Sequence, residues 1–252
     1  MGNLAIGGEV GVLTFLFGLG GMWLQKRLPE AHMSSGARDM IGAVMGLIAL
    51  LLALVLGTLV GSAYGFYAGQ KANVETLAAR SIQLDMALKQ FGPEAAPMRA
   101  GLQATVNQAY KGIWIDHLDP GQYELGNLVD SFERLNLVAS QLQARTPEQI
   151  GALPTVNFSI SVIETTRFLM ALQLASPISW PLLGVVVSWA MLLFAGYGVL
   201  ARLNGTAIVA AFIGAFAVGS AVLLILELNQ PFSGAFLIPG AAMEQALAVL
   251  GK

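Results

Sequence analysis

Residues 40–70 read MIGAVMGLIALLLALVLGTLVGSAYGFYAGQ, without one charged side chain. A hydrocarbon core of about 30 Å takes roughly 20 apolar residues of helix to cross, so this stretch predicts a membrane span with length to spare. Small residues repeat along it: Gly57, Gly61, Gly65 and Gly69 follow at steps of four, preceded by Gly46, Ala49 and Ala53. Steps of four lie on one helix face. Beyond Gly69 the pattern turns amphipathic, with Val74, Leu77, Ser81, Leu84, Leu88 and Phe91 at steps of three and four. No Gly or Pro interrupts it before Gly92-Pro93, which reads as a left-handed cap followed by a residue that cannot continue a helix. The spacing therefore predicts one continuous helix from about Met40 to Phe91, projecting well beyond the bilayer.

Three more charge-free stretches are long enough to cross. Leu4 to Leu24 carries only Glu9; Phe168 to Ala201 is interrupted by Pro177 and Pro181, placing its membrane part after Ser179; Leu203 to Leu226 is uninterrupted. The first has no Lys or Arg before its apolar core and is longer than a typical signal core, so it reads as a retained span. The whole chain fits this picture. Of 252 residues 56% are hydrophobic and 11% charged, against about a quarter charged in an average soluble domain. Mean hydropathy is +0.67 and net charge −2. No basic footprint suggests nucleic acid, and the absence of cysteine removes disulfides and thiolate chemistry.

Between spans two and three, residues 70–178 hold eight of the thirteen Lys and Arg and ten of the fifteen Asp and Glu. This is an extramembrane domain, and it reads as helical throughout. One helix from about Glu94 to Leu118 aligns Met98, Leu102, Val106, Ala109 and Ile113; Asp119-Pro120-Gly121 is a turn; a further helix carries Leu125, Leu128, Phe132, Leu135 and Leu142. Thr146-Pro147-Glu148 has the form of an N-cap with proline at the first helical position. A last helix from Thr155 aligns Phe158, Val162, Thr166 and Leu169. The expected fold is all-α: 1–69 the first two spans, 70–178 the helical domain, 179–227 spans three and four, and 228–252 a turn and short tail. In that tail Met243, Leu247 and Leu250 form an amphipathic stretch suited to a membrane surface.

Sidedness follows from the short loops. Lys26, Arg27 and Arg38 between spans one and two, with Arg202 between three and four, favour cytoplasmic loops and an external helical domain; Lys71, Arg80 and Arg167 pull the other way.

Two groups of residues are candidates for function. The row Gly57, Gly61, Gly65 and Gly69 offers backbone that neighbours can approach, as small-xxx-small packing requires. Either it packs tightly within one subunit, or subunits meet there around an axis to which Thr58 and Ser62 present hydroxyls. The second group is Glu9 and Glu227, the acidic residues bordering the apolar spans. With four crossings both fall near one mouth, where symmetry-repeated carboxylates would favour cations; alternatively they face headgroup water or pair with Lys71 or Arg167. Two histidines, His32 and His117, make no metal cluster, and no phosphate loop, HExxH or GxSxG is present. Asp116-His117 lacks a nucleophile partner. The other carboxylates of the polar domain read as a solvated surface. No metal or cofactor is expected, and an enzyme ranks last.

Several local runs resemble a bacterial membrane family of unknown function, labelled bestrophin-like. They are Leu28-Pro29-Glu30-Ala31-His32, Arg38-Asp39, the run from Ala53 to Gly57, Leu84-Asp85 and Phe91-Gly92-Pro93-Glu94-Ala95, then Trp180-Pro181, Asn204-Gly205-Thr206 and the run from Leu226 to Gly234. The resemblance covers nearly the whole chain. It implies likeness to bestrophins, pentameric anion channels with four spans per subunit and a cytoplasmic helical domain between the second and third. That placement conflicts with the loop charges. Neither a run of pore-lining Phe or Ile matching the bestrophin neck nor an acidic cluster suited to a calcium clasp is found. The expectation is a homo-oligomer in the bacterial inner membrane, conducting small ions along the second span. Its rival is a non-conducting scaffold, sensor or lipid-organising assembly acting through the polar helices.

Overall fold

The computed structural model describes residues 2–29, 34–116, 142–175 and 179–250, and among them every regular element is helical. In chain order these are α1 (Gly2–Arg27), α2 (Ser35–Phe91), α3 (Ala96–Tyr110), α4 (Pro147–Leu174), α5 (Trp180–Leu200), α6 (Gly205–Leu228) and α7 (Ala241–Leu250). Helices α1, α2, α5 and α6 are each long and apolar enough to cross a bilayer, making this a membrane protein with four membrane helices. The turn at Asp119-Pro120-Gly121, the part of the next expected helix bearing Leu125, Leu128, Phe132 and Leu135, and both histidines lie outside the described residues; Leu142, expected on that helix, lies instead in an irregular segment packed against the core of α2, α3 and α4.

The continuous second helix is present and slightly longer than expected. Its 57 residues extend about 85 Å. Glycine in a helix costs about 1 kcal/mol relative to alanine in water, yet the glycine row does not break α2. Within hydrocarbon no water competes for the backbone, so the helical hydrogen bonds have no alternative. At the far end Gly92 adopts φ 104°, ψ −165°, a region essentially reserved for glycine and more extended than the left-handed cap expected there. Its N–H still donates to the carbonyl of Leu88 (3.3 Å), and Pro93 then starts a single 3₁₀ turn, Pro93–Ala95.

Two compact units divide the chain, 1–66 with 178–229 and 67–177 with 230–252. In the first, α1 packs along α5 and α6. Both crossings depend on glycine. A Cβ on Gly21 would run into the carbonyl of Ala195, and one on Gly198 into the carbonyl of Gly18. One on Gly219 would lie 2.7 Å from the carbonyl of Gly7. The small-residue packing device is thus used here by α1, α5 and α6. Val10, Leu183, Val222 and Leu226 fill one cluster; Leu52 of α2 joins Val186 and Ala190 in another. Asn204 caps α6 by accepting from the N–H of Ala207 at 2.7 Å, closing the span where the sequence placed its start.

The second unit has a larger core. Val74, Leu84, Leu88 and Phe91 of α2 meet Met98, Leu102 and Val106 of α3 and Val156, Ile160 and Ile163 of α4. The amphipathic faces expected on α2 and α3 are therefore buried as read, and each large side chain contributes about 1.5–3 kcal/mol by leaving water. Two expectations are corrected. The segment from Thr146 and the helix from Thr155 are one helix, α4, with Pro154 inside it. Pro154 lies on the exposed side near the helix start, where the missing donor leaves a carbonyl that water can reach. The buried stripe is also rotated from the one expected: Phe158 and Leu169 are exposed, while Val156, Ile160 and Ile163 face inward. The second correction concerns the tail. Helix α7 does not offer its apolar face to a membrane surface; Met243, Ala246 and Leu250 are buried in the same core.

Candidate functional site

On α2 the residues from Leu52 to Ala63 divide sharply. Leu52 and Ala63 are buried, whereas Gly57, Thr58, Gly61, Ser62 and Gly65 are exposed, as is Gly69 further on. An added Cβ at Gly57, Gly61, Gly65 or Gly69 would meet nothing within 4 Å. Within the chain, then, no described neighbour uses the row. Only 6% of the most apolar window of α2 is buried, against 22–28% on the other three membrane helices. Leu47, Leu50, Leu54 and Tyr64 extend this uncovered surface. Thr58 donates its hydroxyl to the carbonyl of Val55 (2.9 Å), a bond that holds its side chain against its own helix. The face is apolar, narrow in side-chain volume and interrupted by two hydroxyls.

The two border carboxylates have different surroundings. Glu9 is exposed on α1, while Glu227 at the end of α6 is only 7% exposed and accepts from the Asn3 amide at 3.1 Å. At its other end α1 stacks the Arg27 guanidinium over the Trp23 ring, 4.6 Å from its centroid, an arrangement suited to the headgroup level.

In the second unit, Gln70 is fully buried and donates to the Oε1 of Gln173 at 2.7 Å, while its own side-chain oxygen has no partner among the described residues. Asp85, read from sequence as part of a solvated surface, is 1% exposed. Arg99 grips it through Nε (2.7 Å) and Nη2 (3.4 Å), and Lys89 approaches to 2.9 Å. Burial opposes its ionisation, but the hydrogen bonds and positive charges of Arg99 and Lys89 outweigh that and hold the carboxyl below its ordinary value of 3.8. Lys89 at i+4 was a readable signal for this cluster. Arg99, beyond the Gly92-Pro93 turn, was not.

A π turn over Lys111–Ile115 ends α3 and carries Trp114, whose Nε1 donates to the carbonyl of Ile238 at 2.9 Å. Tyr110 stacks on Trp114 at 5.7 Å, and Phe232 meets it edge-on at 6.0 Å. These aromatics fasten the segment before α7 to α3. Among the described residues no group of three or more His, Asp or Glu side chains could hold a metal.

A family model described as the bestrophin-like domain matches residues 12–243. Among curated proteins none matches the sequence. Solved structures do match in fold. A single-residue variant of a bacterial bestrophin homolog from Klebsiella pneumoniae aligns over 96% of both chains with a TM-score of 0.69 at 12% identity. A second variant of that homolog gives 0.68 over 96% of each chain, also at 12% identity. A structure described as a membrane protein gives 0.69 over the same shares and at the same identity. At such identity the likeness concerns the fold.

Proposed function

The chain belongs to the bestrophin-like family, and from that premise we propose that it is a homo-oligomeric ion channel of the bacterial inner membrane, with the exposed face of α2 turned to a shared axis. The observation that supports this is the glycine row. Four glycines at steps of four keep one face of a membrane helix thin, and no described residue of the same chain packs against them. Lipid gains little from such a face, whereas copies arranged around an axis would be brought close by it. Thr58 and Ser62 would then supply hydroxyl oxygens along the path, and the thin glycine face would leave room for an ion that keeps part of its water. Of the two carboxylates, Glu9 is the better placed to act at a mouth, because Glu227 is enclosed beside Asn3. An acidic rim would favour cations, the opposite of the anion selectivity that the family resemblance implies. No catalytic role is assigned, and lipids and small ions are the proposed partners.

Flux from protein-loaded liposomes tests the reading. Gly61→Leu should keep the helical content of the chain and reduce conduction at least tenfold or change the subunit count. Glu9→Gln should leave assembly intact and lower the cation-to-anion permeability ratio. A vesicle that stays tight under every salt gradient, or a Gly61→Leu protein with unaltered flux and assembly, would remove the proposal's support.

A further inference from the structure

A groove of about 300 Å³ runs between α1 and α6, lined by Leu4, Gly8, Gly11, Phe15, Phe216 and Leu223 among others. We propose that it is a binding site for one acyl chain of a membrane phospholipid. Three observations lead there. First, the groove offers nothing to a polar ligand: its walls are apolar, and the one hydroxyl on it, Ser220, is turned back to the carbonyl of Phe216 at 2.8 Å. Its rim is exposed on two membrane helices, with Leu4 at 68% and Phe216 at 68%, so the medium that fills it at that depth is hydrocarbon.

Second, Gly8 is not required by helix packing. Gly7 and Gly219 are, since a Cβ on either meets the opposite helix at about 3 Å or closer, but a Cβ on Gly8 would meet nothing within 4 Å and would only fill the groove. A glycine at that position lowers helix propensity without closer contact between α1 and α6. Its effect is to keep the floor of the groove low.

Third, the groove is graded along its length. Phe15 and Phe212 meet edge-on at 5.8 Å at one end. At the other, Leu4 adjoins Asn3, and Leu223 is one turn from Glu227, which hydrogen-bonds Asn3. An apolar channel with a polar pair at one end matches the amphipathic order of a phospholipid, tail inside and headgroup outward. A second copy of the chain is the alternative occupant, and the test separates the two.

The full-length protein would be reconstituted in vesicles of phosphatidylethanolamine and phosphatidylglycerol containing a trace of phospholipid with a diazirine midway along one acyl chain. Photolysis should label peptides covering residues 4–15 and 212–223 more strongly than the other membrane helices. Gly8→Leu should cut that labelling at least fivefold, and Ser220→Leu, which fills the groove from the other wall, should do the same. Gly184→Leu on α5, where a Cβ also meets nothing within 4 Å, should leave it unchanged. Equal labelling in the groove-filling variants and in Gly184→Leu would overturn the proposal. Because the chain has no native cysteine, Gly8→Cys would carry its only thiol. Efficient oxidative cross-linking of two copies through that thiol in membranes would assign the groove to a neighbouring subunit and overturn the lipid reading as well. Neither readout depends on conduction.

Discussion

The side-chain amide of Gln149 donates to the backbone carbonyl of Phe91 at 2.9 Å, so a residue in the first turn of α4 closes the last turn of α2. Its Oε1 meanwhile accepts from the N–H groups of Arg145 (2.8 Å) and Thr146 (3.2 Å), and the backbone N–H of Gln149 donates to Thr146 Oγ1 at 3.3 Å. One buried amide thus satisfies orphan groups at a helix C-terminus and a helix N-terminus together.

Gln149→Leu keeps the volume and removes the three of these bonds made by the side chain, leaving only that of the backbone N–H to Thr146. The expected loss is about 2–3 kcal/mol, since a buried carbonyl is left unmade as well as the capping box. Thermal unfolding in detergent measures it, and Thr146→Ala, which removes only part of the cap, should cost about half as much.

The Asp85 cluster makes stability depend on pH. A carboxyl whose folded pKa lies below its unfolded one contributes fully above the unfolded value and loses the contribution as pH falls through the folded one. Asp85 is held below 3.8, so its contribution should persist at pH 5 and fade below about pH 4. Asp85→Asn should lower stability at pH 7 by about 2 kcal/mol, discounted because Arg99 and Lys89 are partly solvated. The variant's stability should then fall less steeply than the native protein's between pH 4 and pH 2, as followed by helical circular dichroism.

Glycines of the two kinds should respond differently to enlargement. Gly21→Leu forces a side chain into the Ala195 carbonyl and should prevent α1 from seating against α5, costing at least 3 kcal/mol or abolishing folding. Gly65→Leu meets open space and should leave monomer stability within about 0.5 kcal/mol. Parallel melting curves in detergent distinguish them; equal destabilisation would mean that the α2 row is packed within the chain.

Trp114→Phe removes the hydrogen bond to Ile238 while keeping most of the ring. A loss of about 1 kcal/mol is expected, felt locally. Hydrogen exchange of amides in residues 238–250 should accelerate more than that of α2. Gly240→Ala should act on the same amides from the other side, because its Cβ would press on Trp114 and Tyr110 at 3.0 Å.

Much of this architecture was legible where a local rule decides it. The length of α2 follows from an apolar run continuing into an amphipathic one, its end from Gly92-Pro93, and the start of α4 from Thr146-Pro147. The helix expected to begin at Thr155 instead continues α4 through Pro154, whose position on the exposed face cannot be read from the residue itself. The crossing glycines of α1 stood in the sequence as plainly as the α2 row, but a repeat of small residues states only that a close approach is possible. Which helix approaches is decided by the partners, Gly198 and Gly219, far along the chain. The burial of α7 is of the same kind: ten residues with a modest apolar face fit a membrane surface or a protein core equally well until Trp114 and Ile238 are seen together. Asp85 was read as solvated surface and is buried: Lys89 one turn on was a signal for the cluster, but Arg99 lies beyond the turn at Gly92-Pro93.

The position of α7 in that core also bears on how the chain is made. Met243, Ala246 and Leu250 close a core begun by Val74 and Leu84, yet the ribosome translates them after α5 and α6. Two greasy segments, α5 and α6, are handed to the insertion machinery while the earlier polar helices still lack their final wall. During that interval the nascent protein exposes the hydrophobic floor later sealed by the tail, so a chaperone that shields this patch during synthesis should raise the yield of folded protein.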